Sequence, residues 1–125
     1  MSERALTLDL PGADLPAAGD PVITDVIAGA LSSIDSALPG ASAQAGGALG
    51  IEAGADQVLL ILVDGLGYEL IQDHLGHTPT LRRMRDDFRS IHTVVPSTTA
   101  AAITAFGTGA RPGATNMVGF SVAYG

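Results

Sequence analysis

The sequence predicts an α/β fold, a parallel-type sheet with flanking helices, and three observations support this prediction. The uninterrupted apolar run Val58–Val63 is typical of a strand that is covered on both faces. A second run, Ser90–Val95, is rich in β-branched residues. Each run is followed by turn-forming residues and then by a stretch that can form a helix, so the βα unit repeats. Because only two or three strands are present, we expect an incomplete sheet whose exposed edges favour association.

Composition restricts the function. The chain has 125 residues, 46% of them hydrophobic and 15% charged, with a mean hydropathy of +0.35, so it is expected to form a core and not to be disordered. A net charge of -7 disfavours general nucleic-acid binding and anionic membranes. The absence of cysteine excludes disulfides and thiolate chemistry. No signal peptide and no stretch of roughly 20 apolar residues is found, so we predict a cytoplasmic protein without a membrane span.

We divide the chain into four parts. Residues 1–19 are predicted to be an extended lead, and residues 20–39 an amphipathic helix that Asp20 caps and Pro21 begins. Residues 40–56 are rich in Gly, Ala and Ser and are predicted to be a flexible connector or a long loop. Residues 57–125 are predicted to hold the α/β domain. The helix is expected to bury the apolar residues Val22, Ile23, Val26, Ile27, Ala30, Leu31 and Ile34, with Ser32 and Ser33 pointing elsewhere.

Three further helices and a third strand are predicted within residues 57–125. The helices are expected at residues 68–75, 80–88 and 100–106, each bounded by glycine or proline, and the strand at residues 117–122. The arginines at positions 82, 83, 85 and 89 are interrupted by two aspartates, so this cluster is interpreted as a solvated face.

Polar side chains follow both predicted strands. Asp64 comes directly after the first strand, and Ser97, Thr98 and Thr99 follow the second. Ligands of open α/β sheets bind at the carboxyl ends of the strands, so we expect these groups to lie together. The start of the helix after Thr99 favours an anion such as a phosphoryl group. A threonine hydroxyl needs a base or a metal to become nucleophilic, and a neighbouring carboxylate suits such a metal site. A simple helix cap and a simple turn remain the alternatives for these residues.

Four segments together resemble the opening of the alkaline phosphatase superfamily, closest to its type I phosphodiesterase and nucleotide pyrophosphatase branch: residues 58–67, 78–81, 95–99 and 107–109. The resemblance covers about residues 57–125 and implies the N-terminal part of an alkaline-phosphatase-like domain. It implies that Asp64 is a metal ligand and that Thr99 is both a metal ligand and the catalytic nucleophile. The family spacing from Pro96 and to Thr108-Gly109 favours Thr99, and Thr98 is the alternative.

The resemblance also implies an activity: a metal-dependent hydrolase that cleaves the phosphodiester or pyrophosphate bond of a small phosphoester or nucleotide. Two divalent ions, expected to be zinc, belong to the complete domain. Most of their ligands follow the nucleophile in the family, and His74, His77 and His92 match none of them. We therefore expect an incomplete metal site and an inactive short chain.

Two other functions are considered. One is a degenerate, non-catalytic phosphate-binding or remnant module. The other is a dinucleotide-binding half domain, which is disfavoured because Leu70 replaces the third glycine of the Gly-x-Gly-x-x-Gly motif.

Overall fold

A computed structural model of the chain describes residues 16–120. Most of the predicted lead and the end of the predicted third strand, residues 121 and 122, therefore lie outside the described residues. Within residues 16–120 six α-helices are found: α1 (Asp25–Ile34), α2 (Ala43–Leu49), α3 (Tyr68–His74), α4 (Pro79–Arg83), α5 (Thr99–Thr108) and α6 (Pro112–Thr115). The 3₁₀ turns Leu75–His77 and Arg85–Asp87 extend α3 and follow α4. None of these helices has the length and apolar character that crossing a bilayer requires.

Pairing of extended backbone in residues 16–120 is limited to one parallel bridge between Val22 and His92. The amide of Ile23 donates to the His92 carbonyl at 2.8 Å, and the amide of His92 donates to the Pro21 carbonyl at 2.9 Å. The run Val58–Val63 has no regular secondary structure, and its side chains Leu59 and Ile61 are 83% and 76% exposed. A parallel sheet stays a prediction, because a single bridge does not define a sheet.

Helix α1 begins at Asp25, four residues later than the predicted first helical residue Pro21. Pro21 pairs its carbonyl with His92, and the Asp25 carboxylate accepts a hydrogen bond from the Val22 amide at 3.0 Å. These contacts hold residues 21–24 in a bridge and a turn, so that Thr24 becomes the N-terminal flanking residue of α1. The Asp20 carboxylate instead accepts from the Ala17 amide at 2.8 Å. Tertiary pairing with His92 has replaced the predicted cap.

The buried face of α1 also differs from the predicted apolar stripe. Gly29, Ala30, Ser32 and Ser33 are buried, whereas Ile34 is 42% exposed. The two serine hydroxyls donate to carbonyls within their own helix, Ser32 to Gly29 at 2.8 Å and Ser33 to Ala30 at 2.7 Å. Because both hydroxyls have partners, their burial carries little desolvation penalty. The small side chains leave room for a closely approaching second helix.

That second helix is α2, which forms inside the segment predicted to be a flexible connector. Ser42 caps it by accepting a hydrogen bond from the Ala45 amide at 3.2 Å, and Gly50 ends it with a φ of +69°. Helices α1 and α2 meet where Gly29 faces Gly46: a Cβ at Gly29 would lie 3.1 Å from the Gly46 Cα. The connector prediction is therefore wrong for residues 43–49, since small residues here permit packing that a polar linker lacks.

The small buried core places helix α5 against the N-terminal half of the chain. Val94, Ala101 and Ala105 are buried together, and Ile23 and Ala102 pack against them. Helix α5 contacts α1. At its C-terminal end Gly109, with a φ of +68°, lies close to Ile27. The beginning of α5, which carries Thr98 and Thr99, is thereby fixed relative to the bridge segment.

Candidate active-site cleft

Asp64 lies in a turn between the apolar run and helix α3. Gly65 follows it with a φ of +72°, a left-handed conformation that glycine adopts without strain. Gly67 then flanks the N-terminus of α3. The Asp64 carboxylate is exposed. An exposed carboxylate on a tight turn retains oxygen atoms that can bind a ligand.

Thr98 and Thr99 are neighbours with different roles at the start of α5. Thr98 is the N-cap: its hydroxyl accepts from the Ala101 amide at 3.4 Å and donates to the Val118 carbonyl at 2.9 Å. Thr99 is the first residue of the helix and is half-buried. The Thr98 hydroxyl is thus committed to structural contacts, which leaves Thr99 as the better nucleophile candidate of the two.

Helix α5 directs Thr99 away from the core. At about 100° per residue, Thr99, Ala102 and Ile103 lie on one side of the helix, and Ala101 and Ala105 on the opposite side. Ala101 and Ala105 are each only 1% exposed, because that side packs against Val94. Because Ala101 and Ala105 face the core, Thr99 lies on the side of α5 that faces away from it.

Asp64, Ser97 and Thr99 line one cleft of ≈ 460 Å³, and Thr98 is not among its lining residues. The cleft joins the turn after the apolar run to the beginning of α5. Its remaining lining residues are Ile23, Leu62, Val63, Gly65, Leu66, Gly67, Thr93, Ala102 and Ile103. The catalytic and metal-binding roles of Asp64 and Thr99 stay predictions.

The first turn of α5 begins at Thr99, which lines the cleft. The Ala101 amide donates to the Thr98 hydroxyl, and the Ala102 amide donates to the Thr98 carbonyl at 2.9 Å. The amides of Thr99 and Ala100 precede these two and have no acceptor within the helix. Together with the helix dipole, such amides favour an anion.

The donor atoms in the cleft are of a type that binds divalent cations, but they are too few to complete a metal site. Asp64, Ser97 and Thr99 offer oxygen atoms, which hard divalent ions accept. In residues 16–120, however, no three His, Asp or Glu side chains converge on a point where they could hold a metal ion.

The three histidines lie outside the cleft. The His74 Nδ1 is 2.9 Å from the Leu70 carbonyl oxygen, and the His92 Nε2 is 3.6 Å from an Asp20 carboxylate oxygen.

Sequence reasoning did not single out Thr93 and Ile103, which also line the cleft. Ile103 follows Thr99 by four residues, so helical spacing places it on the same side and would have identified it. Thr93 was predicted only as part of a strand, and no local signal distinguishes it from its neighbours.

Comparison with known proteins identifies the family. The model of the type I phosphodiesterase / nucleotide pyrophosphatase family matches residues 58–124, more than half of the chain. The chain belongs to this family, whose members are hydrolases of small phosphoesters or nucleotides and generally use divalent metals. The match begins at the apolar run and contains Asp64, Thr99 and helix α5. No curated protein and no solved structure matches the chain.

Proposed function

We propose that this chain carries the nucleophile and one metal ligand of a hydrolase that cleaves phosphodiester or pyrophosphate bonds. Thr99 is the nucleophile, and Asp64 and Thr99 are ligands of a divalent ion, with zinc the expected metal. The observation that carries the proposal is the shared cleft: Asp64 and Thr99 line one cavity in a member of a phosphodiesterase family. We also propose a cytoplasmic location.

The chemistry follows from the groups in the cleft. The Thr99 hydroxyl loses its proton to solvent and its oxygen attacks phosphorus, while the bond from phosphorus to the leaving oxygen breaks and that oxygen takes up a proton. Water then cleaves the Thr99 phosphoester, releasing the phosphorylated product and restoring the hydroxyl. Throughout, the amides of Thr99 and Ala100 donate to a phosphoryl oxygen. A bound divalent ion supplies charge neutralisation and lowers the pKa of the attacking hydroxyl.

We also propose that residues 1–125 alone are a poor catalyst. A two-metal site holds its ions about 4 Å apart, and each ion needs roughly four or more ligands. Asp64 and Thr99 supply only part of such a set, and the described residues bring no third acid or histidine to them. Calorimetric titration of zinc into the 125-residue chain should therefore show no pair of tight sites. Two tight sites per chain, lost in Asp64→Asn, would contradict this.

The nucleophile is tested by Thr99→Ala in a form of the protein that turns over a phosphodiester. Removing the attacking oxygen should lower turnover of a chromogenic phosphodiester on the order of 10⁴-fold or more. Thr104→Ala, on the same helix but outside the cleft, is the matched control and should retain turnover. Retained activity in Thr99→Ala would reject the assignment.

A second candidate is phosphate binding without turnover. The start of α5 favours it because the amides of Thr99 and Ala100 have no acceptor within the helix and can bind an anion without a metal. Addition of a metal chelator distinguishes phosphate binding from metal-dependent hydrolysis. Binding of inorganic phosphate that survives both chelator and Asp64→Ala, in a protein without turnover, would support the binding module. Loss of phosphate binding under either condition would support the hydrolase.

A further inference from the structure

A cavity separate from the active-site cleft lies between the N-terminal end of α1, helix α2 and the start of α6. It has a volume of ≈ 460 Å³, and Asp20, Asp25 and Arg111 are among its lining residues. We call it the charged cavity. It shares no lining residue with the cleft that holds Asp64 and Thr99, so it is a distinct space in the molecule.

The opposite charges of the charged cavity do not pair with each other. Within residues 16–120 no carboxylate forms an ion pair with the Arg111 guanidinium. Asp20 and Asp25 each accept a backbone amide through Oδ2, at 2.8 Å and 3.0 Å, and their Oδ1 atoms have no hydrogen-bond donor in that part of the chain. A ligand that carries both charges can bind the guanidinium and the carboxylates at once.

Thr24 adds a buried polar group to the same lining. It is only 8% exposed, and its hydroxyl neither caps α1 nor forms another hydrogen bond within residues 16–120. No side-chain oxygen of the described residues is sealed from solvent without a partner, so the Thr24 hydroxyl is reachable from the cavity. A polar ligand in the cavity supplies the partner that this hydroxyl lacks.

An apolar recess adjoins the charged cavity. It has a volume of ≈ 400 Å³, and four residues line both spaces: Pro16, Val22, Thr24 and Arg111. We call it the valine recess, since Val22, Val94 and Val95 line it together with Pro112. Arg111 therefore lies between a charged space and an apolar one.

We propose that the charged cavity and the valine recess together bind a small aliphatic zwitterion, an amino acid or a dipeptide with a branched side chain. The ammonium group of the ligand donates to the free oxygens of Asp20 and Asp25, and its carboxylate accepts from the Arg111 guanidinium and the Thr24 hydroxyl. The branched side chain is buried in the valine recess. Because neither the nucleophile nor a metal takes part, this site does not depend on the proposed hydrolase function.

Calorimetric titration of the 125-residue chain tests the site with leucine and with analogues that each lack one group. The amine 3-methylbutylamine lacks the carboxylate, 4-methylpentanoate lacks the ammonium group, and glycine lacks the side chain. Each missing group should weaken binding by roughly tenfold or more relative to leucine. Tighter binding of leucylleucine than of leucine indicates a dipeptide site, and the reverse order indicates an amino-acid site. No binding of leucine or leucylleucine, or equal affinity of leucine and its analogues, overturns the proposal.

Substitution of the arginine tests the carboxylate contact. Arg111→Gln should weaken leucine binding by roughly tenfold or more, but it should not weaken the binding of 3-methylbutylamine, which has no carboxylate. Arg85→Gln is the matched control: it removes the same charge from a residue that lines neither the charged cavity nor the valine recess. It should leave leucine binding unchanged. A leucine affinity that is the same in both variants overturns the proposal.

Substitution of an acid tests the ammonium contact. Asp25→Asn keeps an oxygen that can accept from the Val22 amide, and it should weaken the binding of leucine but not that of 4-methylpentanoate. Asp20→Asn is the second test if circular dichroism shows that Asp25→Asn unfolds. Asp56→Asn, at an exposed acid outside both spaces, is the control. Leucine binding that neither Asp25→Asn nor Asp20→Asn weakens contradicts the assignment.

Competition separates this site from the active-site cleft. The valine recess meets that cleft at Thr93, but the charged cavity does not reach it. Inorganic phosphate should therefore not displace leucine, and Thr99→Ala should leave leucine binding unchanged whether or not it abolishes hydrolysis. Displacement of leucine by phosphate would place the ligand in the cleft and reject the site.

Discussion

Thr98 and Thr99 are adjacent in the chain, but their environments are different. The Thr98 hydroxyl bridges the Ala101 amide and the Val118 carbonyl, so it joins the start of α5 to a residue twenty positions away. Thr99 begins the helix and lines the cleft with Asp64. We therefore expect substitution of Thr98 to affect mainly stability and substitution of Thr99 to affect mainly chemistry.

Thr98→Ala should lower the free energy of unfolding by about 1 kcal/mol, because the helix loses its cap. Thr98→Ser keeps the hydroxyl and should restore most of that loss. Thr99→Ala, one residue further on, should change stability much less. Urea denaturation of the three variants measures these differences. A Thr99→Ala variant that is less stable than Thr98→Ala would contradict the assignment of the cap.

At the scale of elements, contact between α1 and α2 depends on residues without bulky side chains. A Cβ at Gly46 would lie 2.8 Å from the Ser32 Oγ, a distance that requires the buried serine to move. Ser32 cannot move freely, since its hydroxyl donates to the Gly29 carbonyl. The two helices are therefore held at a separation that only glycine permits.

Gly46→Ala should destabilise the protein by about 1 to 3 kcal/mol through this overpacking. Gly47→Ala is the matched control on the same helix. Beyond that helix's own backbone, no atom of residues 16–120 lies within 4 Å of a Cβ at Gly47, so the higher helix propensity of alanine should stabilise α2 by roughly 0.5 to 1 kcal/mol. Thermal unfolding followed by circular dichroism compares them. Equal shifts of Tm would show that α1 and α2 do not pack as described.

The C-terminal end of α5 offers a second pair of glycines. Gly109 has a φ of +68°, and its Cβ would lie 3.3 Å from the Ile27 side chain, so Gly109→Ala should cost roughly 1 to 2 kcal/mol. Gly107 lies inside the helix, and in the described part of the chain no atom outside the helix backbone comes within 4 Å of a Cβ there, so Gly107→Ala should be neutral or stabilising. Denaturant unfolding of both variants measures the difference. A stabilising Gly109→Ala would contradict the left-handed end of α5.

At the scale of the whole molecule, the apolar run Val58–Val63 is notable because most of its side chains are exposed to solvent. Leu59, Ile61 and Val63 are 83%, 76% and 54% exposed. Apolar, uncharged segments of this length with high β-propensity favour pairing with another chain when they are exposed. If the chain self-associates as the sequence predicts, we expect the run Val58–Val63 to mediate the association.

Leu59→Lys should reduce self-association of the 125-residue chain, because a charge in the run opposes its pairing with a second copy. Gln57→Lys adds the same charge at an exposed polar position next to the run and should have a smaller effect. Sedimentation velocity over a range of protein concentrations measures both. If the unsubstituted chain is monomeric at all concentrations, the prediction is wrong.

Helix α5 could be predicted from the sequence because capping and turn residues act locally, although the prediction of residues 100–106 is shorter than the observed Thr99–Thr108. The same is true of the position of Asp64 in a turn before glycine. Helix α2 could not be predicted, since its glycines and alanines carry no hydrophobic period and resemble a linker. The burial of Ser32 and Ser33 was missed for a related reason: a serine that bonds within its own helix packs like a small apolar residue.

The amino-acid sequence by itself determined the family, because the motif residues around Asp64 and Thr99 stand at characteristic distances along the chain. Only the tertiary structure decided that α1 packs against α2 through glycines, that α1 begins after a bridge to His92, and that Thr99 rather than Thr98 lines the cleft with Asp64. The physical reason is range: turns and caps depend on a few adjacent residues, whereas burial and the direction of a side chain depend on segments far apart in the chain.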